Sequence, residues 1–381
     1  MQERALPFKS IPRHMEGDHI KINQWLMPLS WFYGAATVLR NTLYNMGVLK
    51  SHSFGIPIID VGNITVGGTG KTPHIEYLVR LLSPHYKVAI LSRGYKRKSR
   101  GYVLATPDTP MQQIGDEPWQ MKQKFPDIHV AVDANRCRGI RRLCTDQATR
   151  DVQVILLDDA FQYRRVKPGL NILLIDYHRM ITDDRLLPAG RLREKPEGKD
   201  RADMVVVTKC PANINPMGYR VLRSALRLKP FQSLFYSTIR YGQPVHIDKT
   251  CTLRLDELRT TGMHVLLLSG IGNPLQMEQD MRRYTRHLTP LVFPDHHYFT
   301  PQDLELVKQT FDQMPEPKVI ITTEKDASRL RHTPHLPANL RENIYVLPIE
   351  VEIMRNESKT FNQKIKDYVR QNPRNSSLAQ G

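Results

Sequence analysis

The segment VGNITVGGTGKTP, Val61 to Pro73, sets Gly67, Gly68 and Gly70 close together and follows them with Lys71 and Thr72. Glycines at that density let backbone N–H groups turn toward an anion, and the N-terminus of a following helix adds the positive end of its dipole. The stretch therefore reads as a phosphate-binding loop formed by Thr65, Val66, Gly67, Gly68, Thr69, Gly70, Lys71 and Thr72. In that role Lys71 reaches the β- and γ-phosphates and the Thr72 hydroxyl ligates Mg²⁺. The strict G-x-x-x-x-G-K-[ST] spacing asks for glycine at position 65, where this chain has Thr65. What decides the matter is whether that position needs a positive φ or the close approach only glycine allows.

Carboxylates stand where such a loop needs them. In VILLDDAFQ an apolar run ends in Asp158 and Asp159, and a carboxylate at the tip of a buried strand is costly unless a cation or donor meets it. Such a position suits a Mg²⁺ ligand or an acceptor for its water. GDEPWQM brings Asp116 and Glu117 together before a proline; the loop could carry a base for a hydroxyl nucleophile and a second acid toward the metal, or it could be a turn. FPDHHYF offers Asp295, His296 and His297, either a charged loop or a histidine tuning a carboxylate.

Positioning these groups requires a sheet. Short apolar, β-branched runs (GIPIIDVGNI, KVAILSR, IHVAVD, VQVILLDDA, NILLIDY, ADMVVVTK) alternate with helical stretches, the pattern of strands buried on both faces of a parallel sheet covered by helices. A second alternating set follows: HVLLLSGIG, a helix near Gln276 to Leu288, TPLVFPDH, a helix opening at Thr300-Pro301, KVIITTEKD and IYVLPIEVE. Thr300 as N-cap with Pro301 at the first helical position is a start signal. The expected fold is α/β, with a P-loop NTPase-like parallel sheet, a second smaller α/β domain and an N-terminal interfacial helix. The corresponding divisions are an extension over 1–20, a membrane-associated helix over 21–48, the phosphate-loop domain over 49–245, the smaller domain over 246–371 and a polar tail over 372–381.

Among 381 residues, 55 Lys and Arg outnumber 38 Asp and Glu, a net charge of +17, which favours anionic partners: nucleic acid, a membrane surface or a phosphorylated substrate. No nucleic-acid module or helicase motif set accompanies the charge, and the basic clusters lack the aromatic interleaving that stacks single strands. Cys137, Cys144, Cys210 and Cys251 have no C-x-x-C spacing, so they point to a reducing compartment rather than a zinc site. The uncharged stretch Ile22 to Leu39 is diluted by Asn23, Gln24, Pro28, Ser30 and Gly34 but carries Trp25, Trp31, Phe32 and Tyr33. This composition suits a helix lying at a headgroup interface better than one crossing a bilayer, the alternative being an ordinary core helix.

Taken in order, PLSWFYG, VGNITVGGTGKTP, LSRGYKRK, GDEP, DDAFQYRR, LLPAGRLRE, SGIGNP, FPDHH and TTEKD resemble the tetraacyldisaccharide 4'-kinase family across most of the chain. The resemblance implies an ATP- and Mg²⁺-dependent enzyme at the cytoplasmic face of the bacterial inner membrane, peripheral or N-terminally anchored. Its substrate would be an acylated disaccharide 1-phosphate of lipid A synthesis, with no nucleic acid and no obligate protein partner. It also implies roles: Asp116 as base with His296 as its partner, Lys71 and Asp159 in catalysis, and Asp158, Glu117, Glu194 and Thr72 toward the metal. Arg93, Tyr95 and Arg136 would contact substrate. The family's loop itself tolerates a small residue at position 65. The chain departs from the family's usual DDGFQH at Ala160 and Tyr163, which puts in doubt any role given to that glycine and histidine. The alternative function is a P-loop switch or membrane-associated NTPase without lipid kinase activity.

Overall fold

A computed structural model describes residues 22–372, apart from positions 273, 296, 332, 334 and 335, together with residue 375. The expected 1–20 extension and most of the 372–381 tail lie outside the described residues.

The chain first lays down β1 (Ile58–Gly62), β2 (Val88–Ser92), β3 (Val103–Leu104), β4 (His129–Val132), β5 (Val154–Asp158), β6 (Leu170–Asp176), β7 (Met204–Thr208) and β8 (Ser233–Tyr241). It then builds β9 (Val245–His246), β10 (His264–Ser269), β11 (His287–Val292), β12 (Lys318–Thr323) and β13 (Ile344–Leu347), and ends its strands with β14 (Ile349–Ile353). The larger sheet runs β14-β8-β7-β6-β1-β5-β2-β4-β3 and the smaller β11-β10-β12-β13-β9. The pairings from β8 through β4 are parallel, as the continuous apolar runs require. In β5, Val154, Ile155, Leu156 and Leu157 are all 0% exposed, each worth about 1.5–3 kcal/mol of burial.

The smaller domain is not the whole of 246–371. IYVLPIEVE, which reads as one strand, splits at Pro348: β13 stays in the smaller sheet, whereas β14 pairs antiparallel with β8 of the larger one. Proline has no N–H for a ladder and breaks the run there. The helix Ser358–Gln371 then packs Phe361, Ile365 and Val369 into the core beneath the larger sheet. The helix expected near Gln276 to Leu288 stops at Met281, since the chain turns and enters β11 at His287. Thr300 caps the helix Pro301–Asp312 in a reciprocal capping box with Asp303.

The N-terminal helix, Met27–Asn45, docks through small and polar groups. Ser30 Oγ donates to Leu186 O at 3.0 Å, Tyr33 Oη donates to Arg193 O at 2.8 Å, and Asn41 Nδ2 donates to Glu194 Oε2 at 3.1 Å. A Cβ on Gly34 would come within 2.8 Å of Leu186 Cδ1, so glycine sets the closeness of the contact. Its apolar side chains, and Trp25 in the turn just before it, point the other way: Trp25 is 93% exposed, Phe32 77% and Trp31 68%. It is therefore not the core helix of the alternative reading. No helix among the described residues is long and apolar enough to cross a membrane.

Candidate active site

The phosphate loop leaves β1 at the C-terminal edge of the sheet and enters the helix Lys71–Leu82. Positive φ occurs at Gly67 (122°) and at Gly70 (84°), which forms the helix N-cap, and these are the positions where glycine's freedom is used. Thr65 has no positive φ. It bridges antiparallel to Leu192, flanked by Arg193 N to Ile64 O and Val66 N to Arg191 O, both at 2.7 Å. Extended backbone suits threonine, so the departure from the strict loop pattern carries no strain. Below the loop, Asn63 Nδ2 donates to Thr69 Oγ1 at 2.8 Å and Thr208 Oγ1 donates to Thr69 O at 2.9 Å.

His74, on the first turn of that helix, ties the loop to β8. Its Nδ1 lies 2.7 Å from Gly70 O and its Nε2 3.0 Å from Ser237 Oγ. A carbonyl only accepts, so Nδ1 carries the proton and Nε2 accepts from the hydroxyl. Burial pushes the imidazole down to about 4. The unfolded chain protonates His74 near its ordinary value and the native chain does not until about 4, so the unfolded state binds more protons in that window and stability falls as pH drops through it. We expect His74→Gln to remove on the order of 3 kcal/mol of this acid sensitivity, read as the difference between denaturant-unfolding free energies at about pH 7 and about pH 4. The same acid dependence in variant and parent would overturn the assignment.

A cleft of about 990 Å³ opens over the loop. Lining it are Val66 to Thr72, Asp116 and Glu117, Asp158 and Asp159, Arg93, Tyr95 and Arg136, along with Tyr33 and Arg40 of the N-terminal helix. Asp159 holds a left-handed backbone (φ 52°). Its carboxylate meets Lys71 Nζ at 3.7 Å and receives Arg193 Nη1 at 3.0 and 2.9 Å on its two oxygens. Burial alone would raise its pKa, but Lys71 and Arg193 outweigh that and hold it below the usual carboxylate range. Asp158 goes the other way, to about 7, through burial and then the negative charges of Glu117 and Asp159. Its Oδ2 accepts from Ser92 Oγ at 3.1 Å, while Oδ1 is buried with no hydrogen-bond partner among the described residues.

That oxygen, in a cleft shared with Glu117 and Thr72, is what a divalent cation would satisfy. Asp158 and Thr72, with Glu117 nearby, fit Mg²⁺. Among the described residues no group of three or more acids, histidines or cysteines stands close enough to hold a metal ion by itself.

Asp116 begins the helix Asp116–Lys124 and is 7% exposed. Two tight backbones seat it. A Cβ on Gly115 (φ 92°) would fall 2.9 Å from Tyr95 O, and one on Gly94 (φ 70°) 2.8 Å from Ile114 O, so the SRGY and GDEP loops lock against each other. Oδ1 accepts from Glu117 N at 3.0 Å, and Oδ2 accepts from Arg329 Nη2 at 2.7 Å. His296, the partner implied by the resemblance, lies outside the described residues. The neighbouring His297 places Nε2 2.8 Å from Asp303 Oδ2.

Glu194 does not face the cleft. It is 1% exposed and taken up by Arg201 at 2.8 Å, Asn41 at 3.1 Å and Gln162 at 3.3 Å. It braces the N-terminal helix through Asn41 rather than the metal position, because Arg201 meets its buried charge away from the cleft. The two departures are accommodated. The positive φ falls on Asp159, not Ala160, and Ala160 N donates to the buried Asp60 at 3.1 Å. Tyr163 sits beneath the Arg136 guanidinium, 5.5 Å from ring centre to Cζ, with its hydroxyl 3.1 Å from Asn135 Oδ1. Arg193 and Gln162 are the site residues that residue-by-residue reading missed, although both lie inside RLRE and DDAFQ. Nothing near Arg329 in the sequence signals its contact with Asp116.

A glycine-rich strand-to-helix loop, a lysine and threonine at its end, and a carboxylate pair at the tip of a parallel strand define a P-loop nucleotide-binding protein of the phosphotransferase kind. The family described as tetraacyldisaccharide-1-P 4'-kinase matches residues 22–370. Among similar proteins, the tetraacyldisaccharide 4'-kinase of Phocaeicola vulgatus is 55% identical, covering 96% of this chain and 100% of its own. That of Bacteroides thetaiotaomicron is 51% identical over 96% and 98%. The crystal structure of LpxK from Aquifex aeolicus in complex with ATP superposes with a TM-score of 0.69 at 29% identity, over 91% of this chain and 98% of that one. This chain belongs to the tetraacyldisaccharide 4'-kinase family.

Proposed function

We propose that Asp116 is the base in the reaction of this ATP-dependent lipid A 4'-kinase, the transfer of the γ-phosphate of ATP to the 4'-hydroxyl of a tetraacyldisaccharide 1-phosphate. What supports the assignment is one cleft in which the phosphate loop, Asp158 and Asp159, and Asp116 with Glu117 share a wall. Lys71 offsets charge on the transferring group, and the loop's N–H groups hold the phosphates in place. Mg²⁺, when bound, supplies further positive charge on the phosphate oxygens, and Thr72 and Asp158 would hold it. Asp159, fixed by Arg193, orients Lys71. Asp116 accepts the proton of a sugar hydroxyl too weakly acidic to ionise alone. Arg93, Tyr95 and Arg136 line the same cleft and are assigned to the substrate, the cations to its 1-phosphate. Incubation with γ-labelled ATP and the tetraacyldisaccharide 1-phosphate in detergent tests the reading: label must appear on the lipid at the 4' position, and steady ATP hydrolysis with unlabelled lipid would overturn it.

The same reading places the enzyme on the cytoplasmic membrane surface, where an acylated substrate resides. Leu29, Trp31, Phe32 and Leu39, with Trp25 in the preceding turn, expose an apolar face on the N-terminal helix whose other face, with Tyr33 and Arg40, reaches the cleft. Inserting that face into the headgroup boundary brings the active site to the bilayer. Replacing Trp31 and Phe32 together by serine should weaken co-sedimentation with anionic phospholipid vesicles by roughly 10-fold or more. Unchanged partitioning would remove the helix as the contact.

A further inference from the structure

The helix Glu324–Arg331 of the smaller domain meets the helix Asp116–Lys124 through charge. Arg329 pairs with Asp116 at 2.7 Å, Lys325 with Glu117 at 3.3 Å, and Glu324 with Lys124 at 2.6 Å. Arg329 differs from the other two cations because its side chain is wholly buried, at 0% exposure. Its guanidinium forks: Nη2 donates to Asp116 Oδ2, while Nη1 donates to Asp326 Oδ1 at 3.0 Å and lies 3.4 Å from Gly270 O. Asp326 is itself immobilised, since its Oδ2 accepts from Gly270 N at 2.8 Å and from Thr323 Oγ1 at 2.7 Å. One tine of the fork is thus anchored in the smaller domain and the other grips a residue of the cleft. Burying a guanidinium between two carboxylates is costly, and apolar side chains of similar volume often fill such a space as well or better. Packing alone therefore explains this triad poorly.

We propose that Arg329 is a positioning residue for phosphoryl transfer: through it, the smaller domain sets the plane of the Asp116 carboxylate. The inference rests on Asp116 being the base. The two oxygens of Asp116 are held from different domains, Oδ1 by its own helix N-terminus and Oδ2 by Arg329. Bonds that reach the two oxygens from two different elements fix the direction of the carboxylate. None of the hydrogen bonds that fix the phosphate loop from below, those of Asn63, His74 and Thr208, involves Arg329.

A double-mutant cycle tests the inference. Arg329→Gln should lower kcat by roughly 10–100-fold, the order expected for a misplaced catalytic group, with KM for ATP changed less than about threefold. Arg329→Lys, which keeps the charge, should recover a large part of the loss. In the Asp116→Asn background, whose residual rate is followed by single turnover with labelled ATP, Arg329→Gln should change that rate by less than about threefold. An equal loss from Arg329→Gln with or without Asp116, or no loss at all, would overturn the positioning role. If the glutamine variant melts before assay, Arg329→Met, which fills the space without the charge, runs the same cycle and is judged by the same criterion. Asp116→Asn with near-parental kcat would instead overturn the base assignment, so the two failures are distinguishable.

Discussion

Asp116→Asn is expected to reduce kcat by about 10²–10⁴-fold, the range a general base contributes, while nucleotide binding survives. Asparagine keeps the shape, and its single oxygen can accept from either Glu117 N or Arg329, although no longer from both; the backbone seat formed by Gly94 and Gly115 is unchanged. What it loses is the ability to take a proton. The loop that binds phosphate is a separate element, fixed by Asn63, His74 and Thr208, so affinity for an ATP analogue should remain close to that of the parent. Steady-state rates with labelled ATP and lipid in detergent, paired with equilibrium binding of the analogue, separate the two effects. A variant that turns over near the parental rate would require another carboxylate to be the base.

Lys71→Ala should instead damage nucleotide affinity and turnover together. Loss of a single preorganised cation aimed at developing charge costs on the order of 10²–10³-fold in rate, and the same ammonium group binds the ground-state phosphates. The fold should tolerate the change, because Asp159 keeps its two contacts with Arg193 when the 3.7 Å partner at Lys71 is gone. Unfolding midpoints of variant and parent should then agree, whereas kcat/KM for ATP should fall further than kcat. If only kcat changed, Lys71 would act on the transition state alone and the ground-state contact would be wrong.

How much of this could be read from residues alone follows from how local each signal is. The central strands of the larger sheet announce themselves because both faces are buried and their runs are mostly apolar, with Asp60 in β1 and Asn171 in β6 as exceptions. The loop is equally legible, since glycine spacing, Lys71 and Thr72 are contiguous and their chemistry is set by backbone geometry. Thr65 is ambiguous in sequence and resolved in space: its backbone is extended against Leu192, so no glycine is needed. Glu194 is assigned toward the metal by the resemblance of RLRE, but spacing does not say which way a loop side chain faces, and it turns inward to Arg201. The fate of IYVLPIEVE is hidden for a different reason. Pro348 marks a break, but which sheet receives each half depends on β8, more than a hundred residues upstream along the chain. Arg329 is the extreme case: its meaning lies in a contact with Asp116 across the domain boundary, and no local pattern encodes it.

The return of β14 to β8 also bears on the order in which the protein can be made. Until residues 242–348 have left the ribosome, β8 is an unpaired sheet edge, a surface that invites association with other chains. The strand that closes it arrives just past Pro348, whose carbonyl accepts from Gly242 N at 2.9 Å, so the two ends of the intervening domain meet at one point. Sequence-distant pairing of this kind is slow to form. The topology thus makes completion of the nucleotide-binding sheet wait on synthesis of the domain that carries Arg329, and a chain interrupted before that domain lacks both its last strand and the grip on Asp116.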